Sequence, residues 1–98
     1  MAAVPTAASA DSPIQPLASS TRQCTNMGQI FGSNNSTSAV TSSNNCGQIG
    51  VRVHYVHPGG STWKPWKYQS SGTVEQFATN ITQSQHFGAN YGTFTLNR

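Results

Sequence analysis

The sequence predicts an all-β domain: a small six-stranded antiparallel β-sandwich with one disulfide. Three observations carry that prediction. Short alternating or β-branched runs are broken by turn-forming polar clusters about every 8 to 12 residues. Helix-favouring residues are scarce, and charged side chains make up only 7% of the 98 positions. Two cysteines, Cys24 and Cys46, stand in a short chain whose start looks exported.

The chain divides into two parts. Residues 1–21 are rich in Ala, Ser, Thr and Pro and have no periodicity. They read as a signal-peptide remnant or an extended or disordered arm. Ala8-Ser9-Ala10 before Asp11-Ser12-Pro13 has the small-x-small pattern of a cleavage site, although an Ala/Ser/Pro linker has the same composition. Residues 22–98 form the expected sandwich domain. The first strand is placed at 27–31 and the second at 37–42, with a turn at 32–36. The clearest strand runs from Ile49 to His57, where Ile49, Val51, Val53 and Tyr55 alternate with Gly50, Arg52, His54 and Val56. The first set is assigned to the core. Pro58-Gly59-Gly60-Ser61 turns the chain into a strand at 63–69, whose Pro65 marks an edge or a bulge.

Residues 73–82 carry two overlapping patterns. Val74, Phe77, Ala78 and Ile81 fit helical spacing behind a Thr73-x-x-Gln76 box, while Phe77, Thr79 and Ile81 alternate as a strand. Strands on both sides and poor helix formers favour the strand. Residues 83–90 are expected as loop and 91–96 as the last strand.

Composition narrows the function. Ser, Thr, Asn and Gln fill 40 positions, and residues 23–51 carry no charged side chain. The net charge of +3 is spread over Arg22, Arg52, Lys64, Lys67 and Arg98 against Asp11 and Glu75. A nucleic-acid face needs clustered cations, so nucleic acid is not an expected partner. No apolar run is long enough for a membrane span. The paired carboxylates of acid–base catalysis have no counterpart, because Asp11 lies in the arm and Glu75 stands alone in the domain. A Ser-His-Asp relay lacks its acid for the same reason. His54, His57 and His86 with Glu75 are the only candidate metal ligands. His54 and His57 fall on opposite strand faces, so no metal site and no cofactor are expected. Asn34, Asn35 and Asn80 head Asn-x-Ser/Thr sequons, which matter only in a eukaryotic secretory pathway. An even cysteine count reads as a bridge that stabilises the fold by roughly 3 kcal/mol; two free thiols are the alternative.

The segment Trp63-Lys64-Pro65-Trp66-Lys67-Tyr68 is the candidate binding site. Trp63, Lys64, Trp66, Lys67 and Tyr68 have the composition of a contact surface: rings to bury, and cations to meet carboxylates. The competing expectation is that Trp66 and Tyr68 fill the core of a small domain.

One family is similar in pattern over residues 24–96. The cysteine pair precedes a Val51-Arg52-Val53 strand ending in Tyr55. Ser71-Gly72-Thr73-Val74 and a His86/Gly88/Tyr91 segment follow. This order resembles the tendamistat-like family of small secreted bacterial α-amylase inhibitors. The resemblance implies a six-stranded sandwich with Cys24 bridged to Cys46. That family carries a Trp-Arg-Tyr triad in its first hairpin. Residues 36–40 here hold neither an aromatic nor a base, so no site residue transfers from that hairpin.

The expected function is therefore that of a secreted, non-catalytic binding protein, foremost an inhibitor of an extracellular enzyme of the glycosidase type. The alternatives are an antimicrobial protein or toxin-complex subunit docked through the arm, and a glycan-binding module. The expected partner is another extracellular protein, either an enzyme or a complex subunit, or else a glycan.

Overall fold

A computed structural model describes residues 18–98, and within them the chain is all-β with no helix. Nine strands form: β1 (Ala18–Thr25), β2 (Gly28–Asn34), β3 (Ser38–Asn44), β4 (Ile49–His57), β5 (Gly60–Trp63), β6 (Lys67–Gln69), β7 (Thr73–Phe77), β8 (Ile81–Gly88) and β9 (Gly92–Asn97). One antiparallel sheet has the order β9-β8-β4-β5, with β6 pairing the first half of β4 beside β5. The other has the order β1-β2-β3-β7. The sheets face each other across one core.

The count of nine instead of six has local causes. Pro65 has no N–H to give a ladder, and the expected 63–69 strand divides there into β5 and β6. The 73–82 segment is strand and not helix, but it breaks after Phe77, and Asn80 takes a left-handed φ of 57° in the turn into β8. The first strand, β1, begins at Ala18, so residues 18–21 of the expected arm belong to the sheet. The rest of that arm, with its cleavage-site pattern, lies outside the described residues. The expected loop at 83–90 is largely β8, which lies between β9 and β4.

The core is aliphatic and small. Ile30 and Ala39 from one sheet meet Ile49, Val51, Val53 and Ile81 from the other, with Val74, Phe94 and Leu96 around them. On β4 the inward set is as the alternation predicts, with Tyr55 only partly buried beyond a register shift at His54/Tyr55. Neither tryptophan belongs to this core.

The cysteines are bridged, with their Cα atoms 5.7 Å apart. The link joins the end of β1 to the segment after β3, so it staples the two strands that flank β2. Cys46 is buried at the core's edge.

Candidate functional site

The outer face of the β9-β8-β4 sheet is where the chemistry-bearing side chains gather. Register sets three cross-strand rows there. Thr93, Phe87, Gly50 and Tyr68 form the first; Thr95, Gln85 and Arg52 the second; Asn97, Gln83, His54 and Trp63 the third. Because strand side chains alternate, these rows face away from the core that Val51, Val53, Ser84, His86, Phe94 and Leu96 build.

The rings assemble around β4. The Arg52 guanidinium carbon lies 4.7 Å from the Trp63 ring centroid and 5.0 Å from that of Trp66. A cation at this distance is drawn to the negative ring face. Its Nε donates to Gln85 Oε1 at 2.7 Å, which fixes the side chain along the second row. Trp66 and Tyr68 are near-parallel, with centroids 5.8 Å apart and planes 18° apart. Phe87 stands edge-on to both, and His54 packs on Trp63 at 5.1 Å. Gly50 makes this possible. A Cβ there would fall 2.8 Å from Tyr68 Cδ1 and 3.2 Å from Trp66 Cε3, so both rings fold over a bare backbone.

Of the five residues singled out in the sequence, three converge on this face: Trp63, Trp66 and Tyr68. The break at Pro65 is what allows both tryptophans to reach Arg52. Tyr68 is 48% exposed and the tryptophans are half-buried, so the expectation that Trp66 and Tyr68 fill the core does not hold. The two lysines go elsewhere. Lys64 Nζ donates to the Phe77 carbonyl at the end of β7, at 2.8 Å. Lys67 pairs with the core-facing Val51, which puts it on the opposite side of the ladder from Tyr68. Arg52, His54, Gln85 and Phe87 were missed as site residues. The alternation that marks Arg52 and His54 as outward was the available signal.

A second polar cluster lies inside. Asn34 Nδ2 donates to Ser84 Oγ at 2.7 Å; Ser84 Oγ is 2.6 Å from His86 Nε2; His86 Nδ1 is 2.7 Å from Thr41 Oγ1, which donates to the Gly50 carbonyl at 2.9 Å. The roles follow from the proton count. Thr41 gives its one hydroxyl proton to Gly50, so it accepts from Nδ1–H. Ser84 accepts from Asn34 and therefore donates to Nε2. The chain thus requires a neutral imidazole. Burial pushes the His86 pKa from 6.5 down to about 4, with a backbone hydrogen bond to Val40 opposing. The Ser84–His86 spacing would suit a nucleophile and its base, yet both residues are fully buried, and the far nitrogen meets a hydroxyl instead of a carboxylate. Substrate cannot reach that pair. Asn34, which heads one sequon, is likewise buried.

Among the described residues, no group of three His, Cys, Asp or Glu side chains could hold a metal ion, and no helix is long and apolar enough to cross a membrane. Glu75, on β7 in the other sheet, is the one carboxylate side chain among them. No family model, curated protein or solved structure matches the chain.

Proposed function

We propose that the protein is an exported, non-catalytic binding protein that works by contact, and that its working surface is the outer face of the β9-β8-β4 sheet. One observation carries this reading: Arg52 lies over Trp63 and Trp66, and Tyr68 and Phe87 extend the same patch. Trp, Tyr and Arg are the residue types that dominate binding energy where they cluster. The disulfide in a small domain fits an oxidising compartment.

Inhibition of an extracellular glycosidase is the protein-directed form of this activity. The cation offered to an acidic cleft is then Arg52, since Lys64 and Lys67 leave the face. The test is starch hydrolysis by a secreted α-amylase titrated with the protein. Inhibition should be stoichiometric and should weaken at least tenfold in Trp66→Ala. Inhibition that survives Trp66→Ala and Tyr68→Ala counts against the face.

A further inference from the structure

We propose that the ligand of this face is a neutral polysaccharide, its sugar rings laid on Trp66 and Tyr68 and its hydroxyls held by the amide and hydroxyl rows beside them. The inference rests on the reading that this face is the binding surface, and it adds the chemical class of the ligand.

Four observations point to an uncharged polyol. First, the rings of Trp66 and Tyr68 are near-parallel, both folded over Gly50, and separated by about one sugar residue, at 5.8 Å. The C–H face of a pyranose packs on the electron-rich face of such rings. Second, the rest of the surface is amide and hydroxyl. Gln85 Nε2 donates to Thr95 Oγ1 at 3.2 Å and Gln83 Nε2 to Asn97 Oδ1 at 2.6 Å. Each of these groups keeps a further donor or acceptor site, and all are fixed in direction by their neighbours. Sugar hydroxyls, which both give and take, match such a field.

Third, charge is nearly absent. Arg52 is the one Lys or Arg side chain in the three rows, its guanidinium lies over two indoles, and no carboxylate shares the face. An acidic polysaccharide would need several cations, and the two lysines that could serve point off the face. Fourth, the rings form a column along one edge, next to the polar rows. A protein hot spot instead sits at the centre of its interface, ringed by contacts that exclude water.

The test is native gel electrophoresis of the full chain through soluble starch, mixed-linkage β-glucan, xylan or glucomannan, with alginate as the acidic control. At least one neutral polymer should retard migration, and alginate should not. Trp66→Ala and Tyr68→Ala should each raise the dissociation constant tenfold or more. Gln85→Ala, which leaves every ring in place, should raise it several-fold. Phe31→Ala, on the other sheet, should leave it unchanged. Retardation by no neutral polymer, or by alginate alone, overturns the ligand class. If α-amylase inhibition sensitive to Trp66→Ala is then seen, the face stands and its partner is protein. Polysaccharide binding that survives both ring variants overturns the face itself.

Discussion

Gly32 and His86 face each other across the core so closely that a Cβ on Gly32 would lie 2.6 Å from His86 Cγ. The imidazole therefore rests on bare β2 backbone on one side. On the other it stacks on Phe94, with centroids 5.3 Å apart. The sheets close around a histidine and not around a large apolar side chain. Gly32→Ala should destabilise the fold by about 1–3 kcal/mol through overpacking, read as a lower urea midpoint. A midpoint unchanged by the added methyl would show that β2 can retreat.

Acid should weaken the domain over a defined range. The folded His86 pKa is about 4, below its ordinary 6.5. Between those values the unfolded chain takes up a proton that the folded chain refuses. Stability is thus held above about pH 6.5 and falls as the pH drops towards 4, by about 3 kcal/mol in all. Urea titrations at stepped pH measure this, and a profile flat from pH 7 to 4 would contradict it.

Ser84→Ala removes the donor to His86 Nε2 and the acceptor for Asn34 Nδ2 together. Asn34 Oδ1 is already buried without a partner. A loss of about 1–3 kcal/mol is expected from the newly stranded groups, measured by chemical denaturation. A thermal midpoint equal to the parent's would mean that another group or a water takes over.

Replacing both cysteines with alanine releases a link across 22 positions. The expected cost is roughly 3 kcal/mol. Amide exchange should quicken first in β1, an edge strand held to the sheet by β2 alone. Uniform acceleration across both sheets would argue that the bridge stabilises the sandwich as a unit.

Gly50→Ala should disturb the candidate face. The methyl would collide with Tyr68 and Trp66, so both rings must lift from the strand. Tryptophan emission should shift to longer wavelength, and ligand affinity should drop at least tenfold. An unaltered emission spectrum would refute the packing of these rings on β4.

Sequence legibility followed the source of each signal. Ile49–His57 was readable because one side of β4 is apolar and the other is not. β8 was unreadable for the converse reason. Its inward positions include Ser84, His86 and Gly88, which are polar or small because they serve the buried hydrogen-bond chain and the close approach to Ile30. No apolar alternation marks such a strand. β1 was read as part of the arm because Ala18, Ser20 and Arg22 carry no apolar stripe, yet pairing with β2 and the bridge at Cys24 hold it in the sheet. For the site, the aromatic segment was plain in the sequence. The convergence of its rings on Arg52 depended on the break at Pro65 and on Gly50, neither of which pairwise spacing encodes.

Arginine on an open sheet surface samples many rotamers, and immobilising it on complex formation costs about 2 kcal/mol of entropy. Arg52 has met that cost during folding, through Gln85 and the two indoles. The surface offered to a partner is therefore stiff before encounter. Loosening it by Gln85→Ala should make association entropically less favourable, even though no direct contact to the partner need be lost.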